Sequence, residues 1–302
     1  MSYRKGHHFS LKDLKFTEYV GVDFSEMSTE DLRDLWRDTL KNGMHGLCFS
    51  MYEDNQKPGE TISELQVRKR IQIIKPYIKW VRSFSCIEGN EHIPRIAHQN
   101  GIKTLVGAWL GDDLEKNETE IESLISLAKE GVVDIAAVGN EVLYRKELTE
   151  EQLLKYIQRV KKAIPEIPVG YVDAYYEFTD HPEIADACDV ILSNCYPYWE
   201  GCDIEHSLNH MRQMYHHAKD AGKGKRVIIT ETGWPSEGGS LRGAHSSSEN
   251  AMKYFINSQV WADNQNVELF YFSSFDEGWK TGTEGDVGAY WGLWDKNGNL
   301  KF

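Results

Sequence analysis

Eight apolar runs recur along this chain, separated by amphipathic segments, and this alternation restricts the folds that it can adopt. Short runs that are apolar throughout are typical of strands buried on both faces of a parallel sheet. The runs lie at residues 45–50, 80–84, 104–110, 134–139, 169–173, 189–194, 226–231 and 269–274. Eight strands that alternate with helices fit an α/β fold, the closed (β/α)8 or TIM barrel.

The segments between the runs carry helical periodicity and capping residues. Thr149 and Gln152 form a capping-box pattern, followed by apolar residues on one helical face. A second helix is predicted to begin at Asn117. The last long helix is predicted to begin at Ser246, where Glu249 completes another capping box. Polar and basic residues fill the opposite faces, as an outer ring of helices requires.

No linker or low-complexity tract divides the chain, so we predict a single domain. The barrel is predicted to span residues 44–302. Residues 1–43 then form a short N-terminal extension that packs on the barrel, with a helix at 29–41 that begins after Ser28. An open doubly wound sheet is the alternative fold, but it usually carries a glycine-rich phosphate loop after its first strand. Here the residues at 51–54 read Met-Tyr-Glu-Asp, with no such loop.

The composition excludes several classes of partner. The formal net charge is -13, which argues against nucleic acid and anionic membranes and favours a neutral substrate. No stretch approaches the ~20 apolar residues that span a bilayer. The first residues lack the apolar core of a secretory signal. A cytoplasmic location follows if Met1 is the native start, and export follows if a signal has been removed.

The cysteines do not form a disulfide framework. They are odd in number and sparse for this length: Cys48, Cys86, Cys188, Cys195 and Cys202. Their apolar surroundings predict buried free thiols. A bridge between Cys195 and Cys202 is the alternative, and it would weaken a cytoplasmic assignment.

Metal and nucleotide chemistry leave little trace in the sequence. His206 and His210 lie four residues apart on a predicted helix, but no HExxH pattern or third ligand follows, so we interpret them as a solvated helical face. Neither a G-x-S-x-G elbow nor a Walker loop occurs. We therefore expect neither a metal nor a cofactor.

Two glutamates stand where an apolar run gives way to polar residues. Glu141 lies in Gly-Asn-Glu-Val at 139–142, and Glu231 lies in Thr-Glu-Thr-Gly-Trp-Pro at 230–235. The carboxyl ends of the strands carry the chemistry of a TIM barrel. A facing pair of carboxyl groups can cleave glycosidic bonds, about 5–5.5 Å apart in retaining enzymes and roughly 6.5–9.5 Å in inverting ones. A solvated or salt-bridged loop residue is the alternative for either glutamate alone.

Aromatic residues cluster after strands five to eight, where core packing does not require all of them. They are Tyr175, Tyr176, Tyr196, Tyr198, Trp199, Trp234, Trp279, Tyr290 and Trp291. Aromatic rings can stack on sugar rings, and the best candidates are Tyr196, Trp234 and Trp279. Asn140 can hydrogen-bond a sugar hydroxyl. Further contacts around the site are predicted more weakly for Arg82 and Asp173.

Four motifs together resemble glycoside hydrolase family 17, and specifically its bacterial β-1,3-glucanases (laminarinases). They are Val-Gly-Asn-Glu at 138–141, Asn-Cys-Tyr-Pro-Tyr-Trp at 194–199, Thr-Glu-Thr-Gly-Trp-Pro at 230–235 and Phe-Asp-Glu-Gly-Trp-Lys at 275–280. The resemblance covers roughly residues 43–302 and leaves the extension unmatched. Thr232 stands where plant members usually carry serine.

The resemblance implies a (β/α)8 barrel and a retaining mechanism in which Glu141 is the general acid/base and Glu231 is the nucleophile. Glu277 and Lys280 match the family's accessory polar pair beside the nucleophile. The implied substrate is β-1,3-glucan of the laminarin type, cleaved internally. An exo-1,3-β-glucosidase or a transglycosylase on the same site, and a non-catalytic glucan-binding barrel, are the alternatives. A monomer is expected, and the resemblance favours the periplasm or the extracellular space if a signal was removed.

The physical requirements of these roles can be stated in advance. To protonate a leaving oxygen near neutral pH, Glu141 needs a raised pKa, which burial and the negative charge of Glu231 would supply. Lys280 would keep the nucleophile ionised if it reaches Glu231, and a solvated surface lysine is the alternative. Glu277 would bind a sugar, position Lys280 or form a purely structural ion pair.

Overall fold

The structure is a computed structural model that describes residues 7–18 and 20–302, apart from the side chain of Thr283. Eight parallel strands close into a barrel, which confirms the predicted (β/α)8 fold. Within the barrel each strand pairs with the next one along the chain, and the last pairs with the first. The barrel strands are β1 (Met44–Cys48), β2 (Ile78–Ser83), β3 (Lys103–Ala108), β4 (Ile135–Asn140), β5 (Val169–Ala174), β6 (Val190–Asn194), β7 (Arg226–Thr232) and β10 (Leu269–Tyr271). A small hairpin of β8 (Ser240–Leu241) and β9 (Ala244–His245) follows β7.

Helices fill the connections between the strands. They are α1 (Thr29–Lys41), α2 (Glu64–Ile74), α3 (His92–Gln99), α4 (Leu114–Lys129), α5 (Glu150–Ala163), α6 (Glu177–Asp180), α7 (Pro182–Ala187), α8 (Ile204–Ala221), α9 (Ser248–Asn264) and α10 (Thr281–Glu284). Short 3-10 turns lie at Leu11–Asp13, Lys75–Tyr77, Gly278–Lys280 and Asp286–Ala289. Every residue of β4, β5 and β6 is buried, including the few polar ones near their carboxyl ends, as their largely apolar sequences predict.

The capping box at Thr149 is confirmed, because its side chain accepts from the backbone N–H of Gln152 and the Gln152 side chain accepts in return. Two predicted helix starts are wrong. Helix α4 begins at Leu114 because the side chain of Asp113 caps it, and Asn117 lies inside the helix, where its amide exchanges two 2.8 Å hydrogen bonds with the backbone of Gly111.

The start of the last long helix is displaced in the same way. Helix α9 begins at Ser248, with Ser247 as its cap, because the Ser247 side chain accepts from the backbone N–H of Asn250. The hydroxyl of Ser246 instead donates to the backbone oxygens of Gly238 and Gly239 in the preceding loop. A run of consecutive serines offers several capping oxygens, and the tertiary contact of Ser246 decides among them.

The predicted extension lies against the helical ring wherever it is described, with residues 1–6 and 19 outside the described part. Helix α1 buries Leu32, Trp36 and Leu40, and the Trp36 ring lies 5.6 Å from that of Phe255 on α9. Upstream of α1, the backbone N–H of Phe9 donates to the backbone oxygen of Glu200 at 2.8 Å. The division of the chain into residues 1–43 and 44–302 stays a prediction.

The cysteines and the helices bear on two further expectations. All five cysteines are buried and unpaired, which confirms the predicted free thiols and excludes the bridge between Cys195 and Cys202. Across residues 7–18 and 20–302, no helix combines the length and apolar character needed to cross a membrane.

Candidate active site

Glu141 follows the last residue of β4 in an unusual backbone conformation. Its φ is +51°, in the left-handed region that a non-glycine residue enters at a cost of about 1–3 kcal/mol. The residue before Asn140, Gly139, also has a positive φ of +86°. The backbone N–H of Glu141 is anchored on the Val172 oxygen of β5 at 2.8 Å. Backbone strain of this kind is found at functional sites, where surrounding contacts over-determine it.

A hydrogen-bond chain from β7 through β6 fixes the Glu141 carboxyl group. Asn194, the fully buried last residue of β6, donates through Nδ2 to Glu141 Oε1 at 2.9 Å. The Asn194 Oδ1 atom accepts from the hydroxyl of Thr230 at 2.9 Å. The Asn194 amide thus accepts from Thr230 and donates to Glu141.

Glu231 lies in β7 and is 6% exposed. Its Oε1 forms an ion pair with Arg82 Nη1 at 2.8 Å, and its Oε2 accepts from the hydroxyl of Tyr196 at 2.8 Å. Tyr196 is 4% exposed. The predicted sugar-stacking role of Tyr196 is therefore not supported, because its ring is enclosed and its hydroxyl is committed to Glu231.

Arg82 connects the two halves of the site from β2. Besides its ion pair with Glu231, it donates through Nη2 to Asn140 Oδ1 at 2.7 Å. Its guanidinium carbon lies 4.1 Å from the centre of the Phe84 ring. The Asn140 Oδ1 atom is thus occupied by protein, and Arg82 binds both Glu231 on β7 and Asn140, the last residue of β4.

The two glutamates have different surroundings. Burial raises the pKa of Glu141 to about 7, the negative charge of Glu231 adds to this rise, and Asn194 and Arg145 act in the opposite direction. Glu231 faces a guanidinium and a hydroxyl donor instead. Environments that separate the charge states of two carboxyl groups in one site are the requirement for acid/base chemistry near neutral pH.

Glu277 and Lys280 follow β10 and pair with one another. Lys280 Nζ lies 2.5 Å from Glu277 Oε2. Glu277 Oε1 accepts from the hydroxyl of Ser50 at 2.7 Å and from Trp279 Nε1 at 3.2 Å. Both members of the pair are buried. The ion pair of Lys280 is with Glu277, whereas the sequence left open that it would reach Glu231.

Most of the aromatic cluster belongs to the core. Trp234 is 1% exposed, its ring packs on Tyr198 and Tyr254, and its Nε1 donates to the His245 oxygen at 2.9 Å. This corrects the stacking role predicted for Trp234, since no face of the ring is open to a sugar. The other buried members are Tyr175, Tyr176, Tyr196, Tyr198 and Trp291, and the half-buried ones are Trp199, Trp279 and Tyr290.

One exposed aromatic residue at the mouth of the barrel is not among the residues predicted for the site. Trp109 directly follows β3 and is 38% exposed. One face of its ring lies 4.6 Å from the guanidinium carbon of Arg145. The same guanidinium donates to the backbone oxygen of Asn140 at 2.6 Å. The predicted strand at 104–110 includes Trp109, whereas β3 ends at Ala108, so the sequence predicts a buried ring at this position.

Asp173 is enclosed beside the site and does not line it. It is fully buried, accepts from the hydroxyl of Tyr171 and accepts from the backbone N–H of Ala174 at 2.7 Å. Burial, followed by the charge of Glu141, raises the pKa of Asp173 well above its usual range. An enclosed carboxyl group that accepts from the backbone N–H groups of Ala174 and Tyr144 is suited to holding the backbone near Glu141.

The histidines of α8 are only partly solvated. The side chain of His210 is 8% exposed and lies 2.7 Å from Glu200, so the predicted solvated face is wrong for this residue. Among the described residues one group could hold a metal ion, Asp203, Glu205 and His206 at the start of α8. His206 Nδ1 there already lies 2.7 Å from Asp203, which also caps the helix.

Comparison with known proteins agrees with this geometry. Residues 46–292 match the model of the BtgE/BtgC glycoside hydrolase domain. This chain belongs to that family. A glucan 1,3-beta-glucosidase of Arthroderma benhamiae is 28% identical over 265 residues, which cover 81% of this chain and 85% of the relative. A glucan 1,3-beta-glucosidase of Saccharomyces cerevisiae is 26% identical over 287 residues, 85% of this chain and 90% of the relative.

A solved structure is similar over most of the barrel. The glycoside hydrolase family 17 β-1,3-glucanosyltransferase from Rhizomucor miehei superposes with a TM-score of 0.77 at 29% identity, covering 86% of this chain and 96% of that one. An active-site mutant of that enzyme has been solved with laminaritriose. The predicted resemblance to family 17 is confirmed at family level, whereas the relatives compared are fungal and the bacterial subgroup stays a prediction.

Proposed function

We propose that this protein is a retaining enzyme of β-1,3-glucan, in which Glu231 is the nucleophile and Glu141 is the general acid/base. The observation that carries the proposal is the opposite environment of the two glutamates. Glu141 has a pKa of about 7, set by burial and by the charge of Glu231, while Glu231 is paired with Arg82 and Tyr196. Near neutral pH a proton is therefore available at Glu141 beside an ion-paired carboxylate.

In the first step Glu231 attacks the anomeric carbon while Glu141 protonates the departing glycosidic oxygen. Arg82 and Tyr196 hold the two oxygens of Glu231, so the carboxylate is oriented before the substrate arrives. Double displacement requires the two carboxyl groups to lie about 5–5.5 Å apart. The pKa of Glu141 responds to the charge of Glu231, which supports a short separation.

In the second step Glu141 accepts a proton from the incoming hydroxyl. Formation of the glycosyl ester neutralises Glu231 and removes one cause of the raised pKa of Glu141. The hydrogen bond from Asn194 also favours the ionised form of Glu141. The same residue thus donates a proton in the first step and accepts one in the second.

The substrate assignment rests on the relatives and on charge. The two curated relatives are named glucan 1,3-beta-glucosidases, and the solved neighbour is a β-1,3-glucanosyltransferase. A net charge of -13 suits a neutral glucan. We propose internal cleavage as the main reaction. Transfer to another glucan is the second candidate, and it is favoured by the neighbour's activity.

Around this core, Glu277, Lys280 and Trp279 are proposed to contact the bound sugar. Trp279 is half-buried and donates through Nε1 to Glu277, so the three side chains form one unit. Asn140 is proposed to bind a sugar hydroxyl through its amide nitrogen, since Arg82 occupies its oxygen. The monomeric state, the absence of nucleic-acid, membrane, metal and cofactor partners, and a periplasmic or extracellular location stay predictions.

Two substitutions test the mechanism. Glu231→Gln should abolish turnover of every glycoside. Glu141→Ala should lose activity on laminarin but retain cleavage of an aryl glycoside whose leaving group needs no proton. Added azide should accelerate turnover of the aryl glycoside by this variant, because azide is an anion that attacks the glycosyl-enzyme without a general base. Near-wild-type rates of both variants on laminarin would overturn the assignment.

The product series on laminarin decides the reaction type. A ladder of oligosaccharides at early times indicates internal cleavage, and glucose alone indicates an exo-enzyme. Products longer than the starting chains indicate transfer. A folded protein that binds laminarin without altering it would instead be a glucan-binding barrel.

A further inference from the structure

The chain upstream of α1 lies against α8, and we call residues 7–18 the N-terminal strap. The backbone N–H of Lys15 donates to the Gln213 side chain of α8 at 2.8 Å. The Gln213 amide donates in return to the backbone oxygen of Asp13 at 3.1 Å. The family model matches residues 46–292, so the strap lies outside the region that it covers.

The strap reaches the connection between β6 and α8 at Glu200. The backbone N–H of Phe9 donates to the backbone oxygen of Glu200 at 2.8 Å. The Phe9 ring packs on His210 of α8, with ring centres 5.1 Å apart. Two residues earlier, the His7 ring stacks on the Tyr176 ring, with centres 4.2 Å apart. Because Tyr176 lies just after β5, this part of the strap is at the carboxyl ends of the barrel strands.

Glu200 is a buried carboxyl group with both oxygens bonded. Its Oε1 accepts from the hydroxyl of Tyr175 at 3.0 Å, and its Oε2 lies 2.7 Å from His210 Nε2. Tyr175 and His210 are buried as well. Breaking either contact would leave a buried polar group without its partner, so the carboxyl group holds its backbone in one position.

The segment 194–200, which ends at Glu200, supplies one partner to each glutamate of the site. Asn194 donates to Glu141 Oε1 at 2.9 Å. The hydroxyl of Tyr196 donates to Glu231 Oε2 at 2.8 Å. One short segment therefore orients both carboxyl groups, and a shift of its backbone would change the geometry of both.

Tyr175 fastens both ends of this segment to β5. Its backbone N–H donates to the backbone oxygen of Asn194 at 3.3 Å, and its hydroxyl donates to the Glu200 side chain. The strap holds the same end from outside, because Phe9 donates to the Glu200 backbone and packs on His210. Three separate parts of the chain thus meet at Glu200.

We propose that Glu200 is a positioning residue for the two glutamates, and that the N-terminal strap completes its attachment. The inference rests on the proposed function, which it deepens by adding a residue that acts through Asn194 and Tyr196. Loosening the segment should slow the chemical steps, which need precise orientation of both carboxyl groups, more than it weakens substrate binding.

The first test measures kcat and KM on a laminarioligosaccharide. Glu200→Gln keeps an acceptor for Tyr175 but places an amide where an oxygen faces His210. Its kcat should fall about tenfold, equivalent to ~1.4 kcal/mol, while KM stays within about twofold. Phe9→Ala removes the packing of the strap on His210 and should lower kcat in the same way but less.

The second readout is the basic limb of kcat/KM against pH, which a merely structural role would leave in place. The hydrogen bond from Asn194 opposes the rise in the pKa of Glu141, so a loosened Asn194 should move this limb to higher pH. We expect a shift of roughly half a unit in Glu200→Gln. Tyr175→Phe, which removes the hydroxyl donor to Glu200, should shift the limb in the same direction.

Phe24→Ala is the matched control. Phe24 also lies upstream of α1, but its ring centre is 5.8 Å from Lys253 Nζ on α9, away from Glu200. This variant should lose stability while its kcat and basic limb stay as in the wild type. A basic limb that stays in place in both Glu200→Gln and Tyr175→Phe, or that moves equally in Phe24→Ala, would overturn the inference.

Failure of the proposed function gives a different result. The wild type would then release no sugar from laminarin, or Glu141→Ala would keep the wild-type rate on it. The inference fails alone when the wild type is active and depends on Glu141 and Glu231, but substitutions at Glu200 and Phe9 change neither kcat nor the basic limb.

Discussion

The amide of Asn194 acts on the proton affinity of Glu141, and its removal tests the acid/base assignment directly. The Asn194 Nδ2 atom donates to Glu141 Oε1 at 2.9 Å, and this bond opposes the rise in the pKa of Glu141 caused by burial and by Glu231. Asn194→Ala removes a donor that stabilises the ionised carboxylate. The pKa of Glu141 should therefore rise further above about 7.

The size of the rise follows from the strength of the bond. A hydrogen bond to a charged group is worth about 1.5–3 kcal/mol, and one pKa unit corresponds to about 1.36 kcal/mol. The protonated carboxyl group keeps part of this bond through its carbonyl oxygen, so we expect a rise of about one unit. In the proposed mechanism protonated Glu141 is the active form in the first step, so activity should persist to higher pH in the variant.

The assay is the pH dependence of kcat/KM on a laminarioligosaccharide, whose leaving group needs the proton. The basic limb should lie near pH 7 in the wild type and about one unit higher in Asn194→Ala. Thr230→Val keeps the Asn194 amide but removes its 2.9 Å anchor, and should shift the limb less in the same direction. A basic limb that stays in place or moves to lower pH in Asn194→Ala would refute the reasoning.

Three further changes have distinct expected results. Burial raises the pKa of Glu120 from 4.5 to about 7. Stability is therefore highest below about pH 4.5 and falls as pH rises from there through about 7. Glu120→Gln should raise Tm relative to wild type more at about pH 8 than at about pH 4, as measured by calorimetry. Trp234→Ala should cost about 3–5 kcal/mol of unfolding free energy in denaturant titrations, as for a core residue. Trp109→Ala should leave Tm within a few degrees while raising KM for longer laminarioligosaccharides, because the exposed ring has a face for a sugar. Unchanged KM across chain lengths would exclude that contact.

The barrel could be predicted because its strands are buried on both faces. Each of the eight runs found in the sequence overlaps a barrel strand, since a parallel strand enclosed by helices has no polar face to interrupt the pattern. Helix starts were harder. Asn117 has the residue type of a cap, but its amide is used to close the loop at Gly111, a contact between residues that local patterns do not reveal.

The positions of the two glutamates could also be predicted, whereas the partners of the surrounding side chains could not. Sequence places Glu141 and Glu231 at strand ends because the apolar runs end there. It gives no information on which of several aromatic rings is enclosed. The sequence therefore predicts a sugar contact for Trp234, which is buried, and none for Trp109, which is exposed. Long side chains such as Lys280 reach several groups from one backbone position, and only the fold selects Glu277 as its partner.

Contacts between strands explain how one site holds two carboxyl groups in different charge states. Arg82 joins Glu231 to Asn140, and Asn194 joins Glu141 to Thr230, so each glutamate is held from a non-adjacent strand of the barrel by a different kind of donor. The guanidinium offsets the charge of Glu231, whereas the neutral amide leaves the effect of burial on Glu141 largely intact. The different surroundings of the two glutamates therefore depend on β2 and β6 as much as on β4 and β7.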